Sequence, residues 1–199
     1  MKTMKTLVIH PCDPTTDFLK GVYSILVEKT VITGGVNSKE LKELIMQHDR
    51  VMMMGHGSPW GLLSIDCFPG SGMHIIDHDF SELLKTGGNN VYIWCHADKF
   101  VQAHNLKGFF TGMFISEAGE AAAMGLGCID QQTVTLSNEV FGNIAGSHIE
   151  ESSVRGPHYL WQNIRKEYGM LAKVNPVANY NNERLYFSNG HTTISPRLP

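Results

Sequence analysis

The apolar positions of this chain change period several times, and each change marks an element. Thr6 to His10 is a β-branched and aliphatic run that stops at Pro11, so it predicts a first strand. Asp13-Pro14-Thr15-Thr16 is turn and N-cap chemistry, after which Phe18, Val22, Ile25 and Leu26 recur at helical spacing. Thr30 to Thr33 predicts a second strand, closed by Gly34-Gly35. Asn37 with Glu40 three residues on has the form of a capping box, and the helix behind it carries Leu41, Leu44 and Ile45 on one face. Val51 to Met54 is apolar throughout, as a strand covered on both faces should be.

Two short runs, Leu62 to Cys67 and Met73 to Asp77, flank Phe68-Pro69-Gly70-Ser71-Gly72 and predict a small hairpin. A short helix over 79–85 ends at Gly87-Gly88. Val91 to Trp94 predicts the fourth central strand and Phe109 to Ser116 the fifth. Helices are expected over Glu117–Met124, Thr133–Ile144 and Pro157–Tyr168. The polar tail from Asn175 reads as loop, including a solvated stretch at Asn179 to Asn182, with one late strand near Leu185–Phe187.

Strands alternating with helices give the fold class: α/β, a three-layer α/β/α arrangement around a mainly parallel sheet of about five or six strands. Residues 1–199 are expected to form a single domain, with a hairpin insertion near 61–78 and a helical and loop C-terminal part from about 131. In such sheets the site lies beyond the carboxyl ends of the strands. His10, His56, Cys95 and Glu117 all fall at predicted strand ends.

Composition narrows the function classes. The chain is 42% hydrophobic and 18% charged, as in an ordinary globular domain. Its formal net charge of -3 and lack of a basic block give no reason to expect nucleic acid. The apolar runs are too short for a membrane span, and Leu7-Val8-Ile9 is too short for a signal-peptide core, so a cytoplasmic location is expected. Cys12, Cys67, Cys95 and Cys128 are widely spaced and read as free thiols.

His56 and Cys95 carry the chemistry. A cysteine attacks a carbonyl as thiolate, and a neighbouring imidazole can take its proton. The tetrahedral intermediate needs donors for its oxyanion. Gly57 lets a backbone N–H approach a substrate closely, and the N–H of Cys95 is the natural second donor. A buried structural thiol beside a turn histidine accounts for the same residues without catalysis.

The run Val51-Met52-Met53-Met54-Gly55-His56-Gly57, followed by Val91-Tyr92-Ile93-Trp94-Cys95, resembles the caspase-like cysteine peptidases, the superfamily of caspases, metacaspases, gingipains, clostripain, legumain, separase and the bacterial CHAT proteases. That superfamily is marked by an apolar strand ending in His-Gly and a second ending in Cys, with a hairpin and a helix between them. The likeness covers roughly the first two-thirds of the chain. It implies that His56 is the general base and acid, Cys95 the nucleophile, and the N–H groups of Gly57 and Cys95 the oxyanion hole. Trp94 before the cysteine and His96-Ala97-Asp98 after it depart from the family's usual context.

The resemblance also implies that the loop after the first strand helps form the substrate pocket. Asp13 and Asp17 in that loop, with Asp98 and Glu117 as other acidic wall residues, are therefore candidates to bind a basic substrate side chain. Asp13 as turn residue and Asp17 in a first helical turn are the structural alternatives. His74 and His78, or Cys95 with His96, His104 and His56, are the rival metal sets, and neither forms a compact ligand motif. No dinucleotide fingerprint or P-loop occurs. The expected activity is peptide-bond hydrolysis with no metal and no cofactor, and the expected partner is a peptide or protein substrate, with neither nucleic acid nor membrane. A non-catalytic binding or scaffold domain of the same fold, and a hydrolase of small amides or esters using the same dyad, are the alternatives.

Overall fold

Residues 4–194 are described by a computed structural model. Four strands open one sheet: β1 (Thr6–Ile9), β2 (Lys29–Ile32), β3 (Arg50–Met54) and, after a small insertion, β7 (Val91–Ile93), with β2 at its edge. The insertion contributes β4 (Gly57–Ser58), β5 (Gly61–Leu63) and β6 (His74–Ile76), which pair as a separate three-stranded antiparallel sheet. The main sheet continues with β8 (Lys107–Thr111), β9 (Leu185–Asn189) and β10 (Thr193–Ile194). Its order is β10-β9-β8-β7-β3-β1-β2. The pairs β2/β1, β1/β3, β3/β7 and β7/β8 are parallel, and β9 and β10 add antiparallel at one edge. The chain is thus α/β with a mostly parallel central sheet. The seven strands exceed the five or six expected because β10 adds a short edge strand and β9 pairs as a full member.

Alternation along the strands explains why both faces are covered. Leu7, Ile9, Val51, Met53, Tyr92 and Trp94 point into one core, while Val8, Met52, Met54, Val91 and Ile93 point into another. The first core is roofed by α2 (Ser38–Met46), α3 (Ser81–Leu84) and α4 (Ala97–Ala103) through Leu41, Ile45, Leu84, Phe100 and Val101. The second is covered by α1 (Lys20–Tyr23), α6 (Gln131–Arg155) and α7 (Pro157–Ala172), through Val22, Phe141, Ile149, Leu160 and Ile164. The capping box at the start of α2 is present: Asn37 Oδ1 accepts from the N–H groups of Lys39 and Glu40, and Glu40 accepts from the Asn37 N–H.

Several boundaries differ from the sequence reading. The segment after β1 is a 3-10 helix over Pro14–Leu19 running into the short α1, and Ile25 is exposed rather than on the buried face. The fifth strand ends at Thr111, so Phe114 to Ser116 form a loop ahead of α5 (Ala118–Ala123). Helix α6 runs 25 residues to Arg155, well past Ile144. It contains Gly142 and Gly146 because α1 crosses it closely: a Cβ at Gly142 would lie 2.7 Å from the Phe18 carbonyl oxygen, and one at Gly146 would overlap the Gly21 carbonyl. The tail is not a solvated loop at Asn179 to Asn182. It forms α8 (Pro176–Asn182), and the fully buried Asn181 bridges Ile115 by accepting from its N–H at 2.8 Å and donating to its carbonyl at 2.9 Å. Among the described residues no helix is long and apolar enough to cross a membrane.

Candidate functional site

Strand order sets where a site can form. The chain leaves β1 for β2 on one side and then crosses to β3 on the other, so the order reverses between β1 and β3. That reversal opens a crevice at the carboxyl ends of the strands. His10 follows β1, His56 follows β3 by two residues, and Cys95 follows β7 by two residues. Because β3 and β7 are hydrogen-bonded neighbours in parallel register, with Met54 opposite Ile93, the imidazole and the thiol emerge at the same edge. Both line one narrow crevice, walled by Phe18, Leu19, Ile93 and Phe114.

Two glycines aim the His56 segment. Gly55 takes φ 142°, a conformation that side-chain-bearing residues rarely adopt, and turns the chain out of β3 into β4. At Gly57 a Cβ would overlap the indole of Trp94, so this position must be bare for the two strand ends to close on each other. Trp94 Nε1–H also donates to the Ser58 carbonyl at 3.1 Å, which ties the Cys95 strand end to the His56 strand end.

The proton on His56 can be assigned from its partners. Thr15 Oγ1–H donates to Asp13 Oδ1 at 2.7 Å, and Asp13 Oδ1 also accepts from the Thr15 N–H at 2.9 Å. With its own proton committed to a carboxylate, the Thr15 hydroxyl accepts at His56 Nε2, 2.7 Å away. The network therefore puts the imidazole proton on Nε2 and leaves Nδ1 as the basic nitrogen. Asp13 Oδ2 lies 3.6 Å from His56 Nε2, placed to favour a developing imidazolium. Burial works against ionisation of Asp13, but the two hydrogen bonds from Thr15 outweigh it and hold the carboxyl below its usual range.

Cys95 is a protonated thiol at rest. Burial pushes it up to about 11, and as a thiol it donates from Sγ to the Phe114 carbonyl oxygen at 3.4 Å. Two backbone N–H groups near the crevice lack a strand partner. Leu63 N–H donates to the His56 carbonyl, which makes Gly57, opposite Leu62, a non-hydrogen-bonded position of the β4/β5 ladder with its N–H turned away from β5. The Cys95 N–H has no hydrogen-bond acceptor among the described residues.

His10 has a structural task. Its two ring nitrogens contact Tyr23 Oη and Thr16 Oγ1, each at 3.0 Å, and burial lowers it to about 4, so the ring is neutral. It pins the 3-10 segment that carries Thr15 beneath His56.

The other candidate residues are scattered. Asp13 faces His56 rather than lining the crevice. Asp17 is at the surface, 2.6 Å from Lys20 Nζ. Asp98 is buried in the first turn of α4, a helix that packs on the other face of the sheet from Phe18, Leu19, Ile93 and Phe114, and its Oδ1 has no hydrogen-bond partner among the described residues. Glu117 sits at the N-terminus of α5 beside a groove that adjoins the crevice. His96 adopts a left-handed conformation, φ 67°, as the residue preceding α4, a helix the sequence reading did not contain. His74 lies in β6, where it pairs with Ser58 Oγ at 2.8 Å, and His78 lies in the 3-10 turn that follows. The one group of three or more potential metal ligands with atoms within 4.8 Å, among the described residues, is Asp77, His78 and Asp79, with His78 and Asp79 exposed and the group apart from the crevice.

Thr15, Phe114 and Ser116 were not picked out from sequence. For Thr15 the one available signal was its place two residues after Asp13, the pattern of an Asx turn. No protein-family model, curated protein or solved structure matches this chain.

Proposed function

We propose that the protein is a cysteine hydrolase that cleaves peptide bonds through Cys95 and His56. The observation that carries this reading is a thiol and a tautomer-fixed imidazole lining one crevice at adjacent strand ends. The likeness of the His56-Gly57 and Cys95 strand ends to those of the caspase-like peptidases supports it, as does a mostly parallel sheet with helices packed on it. In this mechanism Nδ1 of His56 takes the Cys95 proton as Sγ bonds to the scissile carbonyl carbon. The N–H groups of Gly57 and Cys95 receive the oxyanion, and Asp13 through Thr15 steadies the imidazolium. Collapse breaks the C–N bond, the amine leaves with the proton from His56, and a thioester remains. Water, giving a proton to His56, attacks the thioester, and the thiol departs with that proton restored.

A second reading is a non-catalytic binding domain of the same fold, and the observation in its favour is the thiol held protonated near 11. Hydrolysis of a fluorogenic peptide panel separates the two. Turnover by the wild-type protein, abolished in both Cys95→Ala and His56→Ala with unchanged circular dichroism, is the expected result. Turnover in neither the wild type nor the variants, or full activity in Cys95→Ala, overturns the peptidase reading.

A further inference from the structure

Two cysteines outside the crevice, 55 residues apart along the chain, are brought together by the turn that follows β2. The Cys12 N–H donates to the Thr33 carbonyl at 3.1 Å, which carries the β1/β2 pairing past the strand ends. The next residues, Gly34 and Gly35, run against Cys67. The Gly35 N–H donates to the Cys67 carbonyl at 2.8 Å, and a Cβ at Gly34 would lie 3.0 Å from the Cys67 Cβ. A bare Gly34 therefore lets the Cys67 segment close on the loop after β1. The Cys67 Sγ donates to the Ile65 carbonyl oxygen at 3.1 Å and lies 3.7 Å from the carbonyl oxygen of Cys12. Just before it, Ile65 and Asp66 take φ values of 48° and 55°, a left-handed conformation that a β-branched residue rarely adopts. Through that strained turn the Cys67 thiol faces the Cys12 backbone. Cys12 is exposed, Cys67 is half-buried, and both are free thiols in this structure.

We propose that Cys12 and Cys67 form a reversible disulfide that clamps the loop after β1 to the segment between β5 and β6. The exposed Cys12 meets an oxidant first, because access governs which thiol reacts. With hydrogen peroxide, the Cys12 thiolate attacks one peroxide oxygen, the O–O bond breaks, and hydroxide leaves to take up the proton that Cys12 released. The product is a sulfenic acid on Cys12. The Cys67 sulfur then attacks the Cys12 sulfur, the S–O bond breaks, and water leaves with the Cys67 proton. Together the two thiols give up two electrons and two protons, and one peroxide becomes two waters. A dithiol reductant reverses the bond by exchange. The bond joins the segment that carries Asp13 and Thr15 to the insertion that begins at Gly57, and these two segments border His56 on either side. It forms whether or not Cys95 is catalytic. Because it cross-links residues 55 apart, it constrains the unfolded chain and raises the stability of the oxidised protein.

Peptide mapping of the full-length wild-type protein tests this apart from any turnover. The protein is reduced, freed of reductant, treated with hydrogen peroxide, alkylated, and digested without reduction. The expected product is an intramolecular disulfide joining the Cys12 and Cys67 peptides, with a rise in Tm of about 5 °C that dithiothreitol reverses. Both the bond and the rise should be absent from Cys12→Ser, which alters an exposed side chain, and from Cys67→Ala. Sulfenic or sulfinic acid persisting on Cys12 beside an unmodified Cys67 overturns the proposal. So do a Cys12 bond to a second chain, pairing of either cysteine with Cys95 or Cys128, and both thiols remaining free. A Cys12–Cys67 bond that leaves Tm unchanged, or a rise in Tm that persists in Cys12→Ser, overturns the clamp.

Discussion

Thr15 accepts a hydrogen bond from His56 across 2.7 Å while passing its own hydroxyl proton to Asp13, so one threonine fixes which imidazole nitrogen is basic. The three residues come from two strand ends that are neighbours only because β3 pairs with β1. In the proposed mechanism Asp13 and Thr15 act as positioning residues for His56.

Removing the Thr15 hydroxyl should therefore reduce catalysis without unfolding the protein. For Thr15→Val we expect kcat/KM on a cleaved peptide to fall roughly ten- to a hundredfold, with most of the loss in kcat. Thr15→Ser, which keeps the hydroxyl, should recover most of it. A valine variant with wild-type kcat and an unshifted pH profile would show that the network has no part in orienting His56.

Gly57→Ala should damage both stability and chemistry. The added methyl meets the Trp94 indole, which is itself buried at 1% exposure and cannot retreat without repacking the first core. Overpacking of this kind costs about 1–3 kcal/mol. Urea denaturation should show the midpoint falling, and turnover per folded molecule should fall as well because the Gly57 N–H is displaced. An unchanged midpoint would mean that the two strand ends do not close as described.

His10 gives the fold an acid sensitivity. Its folded-state value near 4 lies below the ordinary 6.5, so the unfolded chain binds a proton over that window and the folded chain does not. Its contribution is fully present above about 6.5 and is lost as pH falls from there towards 4, by roughly 3 kcal/mol in all. Unfolding free energy measured from pH 7 to 4.5 should decline with this slope, and His10→Gln should flatten it while lowering stability at pH 7. A His10→Gln variant with the wild-type slope would assign the acid sensitivity elsewhere.

Much of the central sheet was legible because its strands are short apolar runs with clear stops. Leu7 to Ile9 halts at His10-Pro11, and Val51 to Met54 halts at Gly55. The positions of His56 and Cys95 followed from those stops. What sequence hid was tertiary in origin. Glycine disfavours helix, yet Gly142 and Gly146 sit mid-helix because α1 and the 3-10 segment before it cross there. Asn181 reads as surface polar, yet it is buried where it satisfies both backbone groups of Ile115. Helix α4 was missed because His96 turns through a left-handed conformation before it. Thr15 was missed because its distance from His56, 41 residues along the chain, is set by the folding of the loop after β1.

Labelling by a panel of thiol-directed peptidyl acyloxymethyl ketones, varied in the residue next to the reactive ketone, tests the central claim most directly. Intact-mass and peptide mapping should find the adduct on Cys95 rather than on the exposed Cys12 or Cys128, with the rate falling at least about a hundredfold in His56→Ala. An unlabelled Cys95 in the wild-type protein, or labelling that proceeds equally well without His56, would contradict the account.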